Sequence, residues 1–307
     1  MKVLITGSSG QIGTNLALAL MNRGNDVVGI DKRANTWTDA ITTHRIDLAD
    51  RPVTDWPDPP FDMVVHLAAN AKVFELVEHP ERAMDNVGML FEVLDFCRRQ
   101  HTPIIFGSSR EVYGDIHQHV TDEPSADFVV AESPYSASKI AGEAFVYSYA
   151  QCYDLPYLVF RFSNVYGRYD NDLDRMERVI PLFLKQIADD RPLVVYGREK
   201  VFDFTYIDDC VAGLIAGIDA LAQRRVTCQT INLAHGQGAT LVDLVNILAL
   251  ALGKEPDVTF QPTRVGEVTR YVADITKARE LLGYEPRVPL SGGLPRYVAW
   301  SRSVGAI

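Results

Sequence analysis

Tyr135 and Lys139 stand four residues apart in residues 134–153, a stretch that reads as a helix, so their side chains share one helix face. A lysine ammonium beside a phenol favours the phenolate. That spacing predicts a Tyr135 pKa drawn down from about 10 toward neutrality, where the phenol is a usable general base. Pro134 suits the first helical turn and Ser133 suits the cap. Upstream, residues 104–114 read as an apolar strand running into a polar turn that carries Ser108, Ser109, Arg110 and Glu111. A hydroxyl at the carboxyl end of a strand is well placed to bond a substrate oxygen. Taken singly, each feature also has a plain reading, as a surface Tyr–Lys pair or as a turn-forming serine pair.

The first eighteen residues carry a second constellation. An apolar strand, 3–6, is followed by Gly7, Gly10 and Gly13 and then by a helix pattern over 14–23. Glycines at this spacing allow a tight turn, bring the amides around Gln11 and Ile12 close to a pyrophosphate, and let helix pack on strand. The helix N-terminus adds partial positive charge. A second strand, 27–30, ends at Asp31. That is the place for a carboxylate that accepts hydrogen bonds from an adenosine ribose. The implied cofactor is NAD, since Asp31 disfavours a 2′-phosphate, although Lys32 and Arg33 beside it pull the other way.

These groups need a scaffold. Strand patterns at 3–6, 27–30, 63–67, 104–108 and 157–162 alternate with helix patterns at 14–23, 80–99 and 134–153. That alternation predicts an α/β fold, a Rossmann-type doubly wound parallel sheet with ligands at the carboxyl ends of its strands. Residues 52–60, with four prolines, read as a loop. Residues 204–221 (strand, then helix) and 230–234 read as a return to the sheet. The expected division is a cofactor-binding domain over 1–166, rejoined by 200–235. A smaller C-terminal substrate-binding lobe would comprise 167–199 and 236–307.

Bulk composition narrows the partners. The 307 residues are 47% hydrophobic with a net charge of -10, which argues against nucleic acid or an anionic membrane as a binding surface. Cys97, Cys152, Cys210 and Cys228 are widely spaced and form no metal-type pair, so reduced thiols, no metal site and a cytoplasmic location are expected. No apolar run reaches spanning length.

Together these features resemble the extended short-chain dehydrogenase/reductase family, in particular its NAD-dependent nucleotide-sugar epimerases and dehydratases. The resemblance runs over nearly the whole chain. It rests on the glycine motif, Tyr-x-x-x-Lys, Asp47-Leu48, His66-Leu67-Ala68-Ala69, Ser108-Ser109-x-x-Val112-Tyr113-Gly114 and Arg161-Phe162-Ser163-Asn164-Val165-Tyr166-Gly167. It continues through Asp203-Phe204-Thr205-Tyr206-Ile207-Asp208-Asp209 and Leu281-Leu282-Gly283-Tyr284-Glu285-Pro286.

The resemblance implies roles. Ser109 would bond the sugar 4-hydroxyl, Tyr135 would remove its proton, and Lys139 would hold the nicotinamide ribose and tune Tyr135. Asp47 and Leu48 would lie against adenine, with Lys32 nearby. Leu67, Ala68, Ala69 and Asn86 would line the cofactor. Asn164 and Arg264, with Lys72 and Arg110, would contact a nucleotide-diphosphate sugar. A homodimer formed through a helix pair is also implied.

Three departures stand out. Phe202 occupies the place of an arginine common in relatives, leaving a diphosphate contact to Arg198 or Lys200 or missing. Met89 replaces an expected glycine. Glu111 stands where some dehydratases and UDP-glucuronate decarboxylases carry a base, but Arg110 replaces the acid that thymidine-sugar dehydratases place before it. Glu111 is therefore either a catalytic base or a carboxylate that bonds the turn. The leading expectation is an NAD-dependent 4-epimerase acting on a UDP-hexose or UDP-hexuronate. A 4,6-dehydratase or decarboxylase using Glu111 is the alternative. A non-catalytic NAD-binding regulator and an NADPH-dependent reductase rank lower.

Overall fold

The computed structural model describes residues 1–50, 56–114, 123, 131–170, 178–263 and 268–307. In chain order the elements are β1 (Lys2–Thr6), α1 (Gln11–Asn22), β2 (Asp26–Asp31), β3 (Thr42–Arg45), β4 (Met63–His66), α2 (Val73–Glu78), α3 (Glu81–Gln100) and β5 (Ile104–Ser109). A 3-10 turn (Arg110–Tyr113) leads on to α4 (Pro134–Tyr153), β6 (Tyr157–Phe162), β7 (Asn164–Tyr166), α5 (Val179–Ala188), β8 (Leu193–Tyr196), β9 (Val201–Tyr206), α6 (Ile207–Ala222) and β10 (Gln229–Leu233). The chain ends with β11 (Gly238–Thr240), α7 (Leu241–Leu252), β12 (Val258–Gln261), β13 (Arg270–Tyr271), α8 (Thr276–Leu282) and α9 (Leu290–Ser303).

Seven strands form one parallel sheet in the order β10-β6-β5-β4-β1-β2-β3. The chain winds outward from β1 to β3, then returns to β4 on the other side of β1. The direction therefore reverses between β1 and β4, and a crevice opens beyond their carboxyl ends. Alternation along β1 fills both faces. Val3 and Ile5 join the core cluster containing Leu16, and Leu4 joins the one containing Val64 and Leu94.

The fold is the Rossmann-type doubly wound sheet expected, with one difference in the return. β9 does not rejoin the large sheet. The outer edge of β6 is taken by β10, so β9 pairs instead with β7, β11 and β13 in a smaller sheet. A further two-stranded sheet joins β8 to β12. The return to the large sheet is made by β10 alone.

Two local signals position the site. Ser133 caps α4 reciprocally with Ser136, and Pro134 opens the helix. Gly142 lets α4 approach β5, since a Cβ there would meet the Phe106 ring at 2.7 Å.

Candidate active site

The glycine turn is shaped for an anion. Gly7 has φ +74°, and a Cβ on it would lie 2.7 Å from the Ala68 nitrogen. A Cβ on Gly13 would press into the Gly7 carbonyl oxygen. α1 therefore starts inside the motif, three residues earlier than its apolar pattern suggested. Gly10, the residue before it, offers no capping side chain. The first-turn amides of Gln11, Ile12 and Gly13 thus have no side-chain cap. The Gln11 side chain is committed elsewhere: its Nε2 donates to the Gly167 carbonyl at 2.7 Å, tying α1 to the end of β7.

Asp31 closes this end. Its two oxygens accept from Ser9 N at 3.0 Å and Arg33 N at 2.9 Å, and each retains a lone pair for a hydroxyl. Lys32 Nζ lies 3.9 Å from Asp47 and 3.5 Å from Asn70 Oδ1, so Lys32 and Asp47 face one another at the same rim. Leu48 is buried in the core. Leu67 and Ala68 run on from β4, with their amides bonded to Thr6. Asn86 clamps the segment after Ala69. It accepts from Asn70 N at 2.7 Å and donates to Asn70 O and Ser138 Oγ. Both its amide hydrogens are used within the protein, so it positions the cofactor wall and keeps one acceptor lone pair.

These residues fit a dinucleotide. The uncapped amides and glycines suit a pyrophosphate, Asp31 a ribose, and Leu67–Ala69 a flat apolar wall.

At the other end, the Ser109 hydroxyl lies beside the Tyr135 phenol and lowers its pKa. The Ser109 hydroxyl also accepts from Glu111 N at 3.2 Å. Lys139 Nζ lies 5.8 Å from the Tyr135 ring centroid, donates to the Gly107 carbonyl at 2.8 Å, and sits 5.0 Å from the Phe106 centroid. The expected drop in the Tyr135 pKa is not found among the protein's own groups. Burial pushes the phenol up to about 12, with nearby Ser109 lowering it, Glu111 raising it further and Arg110 lowering it. Lys139 does not offset this, because burial brings its own pKa down to about 8 while Glu143 props it up.

Sequence reasoning passed over Glu143. It lies one turn beyond Lys139, so the four-residue spacing that linked Tyr135 to Lys139 points to it as well. Ser108 Oγ donates to it at 2.5 Å, and Arg161 bonds both its oxygens, at 3.0 and 2.6 Å.

On the substrate side, Asn164 donates to the Asp203 carbonyl at 3.0 Å and accepts from Arg110 Nε at 3.3 Å. Lys72 immediately precedes α2. Phe202, at the place of the missing arginine, has the Arg110 guanidinium over its ring. Arg198 lies instead over Phe260, and Lys200 is buried. Arg264 lies outside the described residues.

Comparison with known proteins decides the lineage. Residues 3–234 match the family model described as the NAD dependent epimerase/dehydratase family. The chain belongs to that family. UDP-glucuronate 4-epimerase 1 of Arabidopsis thaliana is 29% identical, over 97% of this chain and 76% of its own. The crystal structure of UDP-glucuronic acid 4-epimerase from Bacillus cereus, in complex with UDP-glucuronic acid and NAD, superposes with TM-score 0.87. It is 27% identical, covering 99% of this chain and 100% of that one. UDP-N-acetylglucosamine 4-epimerase from Methanobrevibacter ruminantium M1, in complex with UDP-N-acetylmuramic acid, gives TM-score 0.89 at 28% identity, covering 99% and 98%.

Proposed function

We propose that this member of the family is an NAD-dependent 4-epimerase of a UDP-linked sugar. The observation that carries the reading is the placement of Ser109 beside buried Tyr135 and Lys139, at the carboxyl end of the sheet that carries the glycine turn. NAD would be held by the 7–13 turn, Asp31, the Leu67–Ala69 wall and Lys139. When bound it supplies the acceptor and donor of hydride at sugar carbon 4, and a cationic ring.

The protein's own part is proton transfer and orientation. Ser109 Oγ orients the 4-hydroxyl toward Tyr135 Oη. Tyr135 Oη takes the hydroxyl proton as the ketone forms and returns it as the opposite epimer forms. General-base help of this kind is worth about 10²–10⁴ in rate. Burial of Tyr135 and Lys139 excludes water from the exchange. Elimination is not favoured, since the Glu111 carboxylate faces Arg110.

The reading extends to a homodimer. Met84 and Phe91 on α3 and Phe145 and Tyr147 on α4 are exposed on two helices, and exposed apolar groups of this kind mark contact surfaces. It extends also to the cytoplasm, supported by four unpaired cysteines. No helix among the described residues is long and apolar enough to cross a membrane.

The test is incubation with NAD and, separately, UDP-glucose, UDP-glucuronate, UDP-N-acetylglucosamine, GDP-mannose and dTDP-glucose, with products read by NMR. Conversion of a UDP-sugar to its C4 epimer supports the reading. A 4-keto-6-deoxy sugar or a pentose as the accumulating product refutes it.

A further inference from the structure

Arg110 and Glu111 are neighbours on the turn after β5, and their side chains pair. Arg110 Nη2 lies 2.9 Å from Glu111 Oε1, with both side chains largely buried. The guanidinium is itself held in place. Its Nε donates to Asn164 Oδ1, and it lies 5.4 and 5.6 Å from the ring centroids of Phe202 and Tyr271. Ser109, beside Tyr135, is the residue just before Arg110. The Glu111 carboxylate is also close enough to Tyr135 to raise its pKa, and so stands near the place where the 4-hydroxyl would be oxidised.

Such a carboxylate is a hazard to 4-epimerisation. Once carbon 4 is a ketone, the hydrogens on carbons 3 and 5 are acidic. A free carboxylate beside them would take one as a proton. The C–H electron pair would then form an enolate, with its charge on the carbonyl oxygen. Reprotonation from solvent would exchange that hydrogen.

We propose that Arg110 is a positioning residue that holds the Glu111 carboxylate off the carbons flanking carbon 4, so the ketone is reduced before a neighbouring proton is lost. The inference rests on the 4-epimerase reading.

Two measurements test it. Carbodiimide labelling of the whole protein, mapped by peptide mass, reads the pairing without turnover. Glu111 should resist labelling in the wild type and in Arg110→Lys, and react several-fold faster in Arg110→Met. Equal rates overturn the proposal. Turnover in D2O, read by NMR as deuterium per epimerised sugar, reads the consequence. The wild type and the double variant Arg110→Met/Glu111→Gln should carry no deuterium at carbons 3 and 5, whereas Arg110→Met should carry it. Deuterium in the wild-type product, or none in an Arg110→Met enzyme that turns over, overturns the proposal. A wild type that inverts carbon 4 of no nucleotide sugar defeats the underlying reading instead, and the labelling still reports on the pair.

Discussion

Replacing Lys139 with methionine should make this protein more stable while removing its activity. Burial brings the Lys139 pKa to about 8 from an ordinary value of 10.5. At about 1.4 kcal/mol per pH unit, the buried ammonium costs the folded state about 3 kcal/mol at pH 7. Methionine removes that cost. It also forfeits the hydrogen bond to the Gly107 carbonyl and the contact over Phe106, together worth about 1–2 kcal/mol. The net gain is about 1–2 kcal/mol, or a rise in Tm of roughly 2–5 °C for a chain of this size.

The pH dependence identifies the cause. Below pH 8 both folded and unfolded chains carry the proton, and the folded state bears the full cost. Between pH 8 and 10.5 the folded state sheds the proton first, so wild-type stability rises relative to the variant. The two should cross near pH 9, and by about pH 10.5 the wild type should be the more stable by about 1–2 kcal/mol, the worth of the contacts methionine lacks. Calorimetric melts of both proteins from pH 7 to 10.5 measure this. A methionine variant less stable at pH 7, or a difference independent of pH, refutes the reasoning.

Other consequences follow from the same geometry. Gly13→Ala drives a Cβ into the Gly7 carbonyl oxygen. It should cost at least about 1–3 kcal/mol in thermal unfolding and weaken NAD binding tenfold or more by equilibrium dialysis. Glu143→Ala leaves the buried Arg161 guanidinium without its carboxylate. It should cost about 3–5 kcal/mol in urea unfolding, whereas a surface carboxylate such as Glu280 should cost little. Phe91→Asp should convert the proposed dimer to a monomer by sedimentation, without lowering Tm by more than a few degrees.

Much of the fold was legible in the residues because strongly apolar strands and a capped helix obey local rules. Residues 157–162 and 134–153 fold with the bounds their patterns gave. β3 was not legible. Its Thr-Thr-His-Arg sequence is mostly exposed at the sheet edge and carries no apolar alternation. The placement of β9 was hidden for another reason: an apolar strand does not name its neighbours, and β10 had taken the edge beside β6. In the site, the Tyr135–Lys139 pair was readable from spacing, and Ser109 from its place at the end of a strand together with the family resemblance. The Tyr135 ionisation was not, because burial outweighs a lysine whose own charge is disfavoured. The Arg110–Asn164 bond joins residues 54 apart and needed the folded chain to appear.

The central claim is that hydrogen leaves carbon 4 and returns to the opposite face of the same carbon. A UDP-sugar deuterated at carbon 4, converted with unlabelled NAD and read by NMR and mass spectrometry, tests this most directly. The account predicts that the epimer keeps its deuterium at carbon 4, and that Tyr135→Phe slows conversion by about 10²–10⁴. Loss of the label to solvent, its appearance on another carbon, or unchanged turnover by the phenylalanine variant would contradict it.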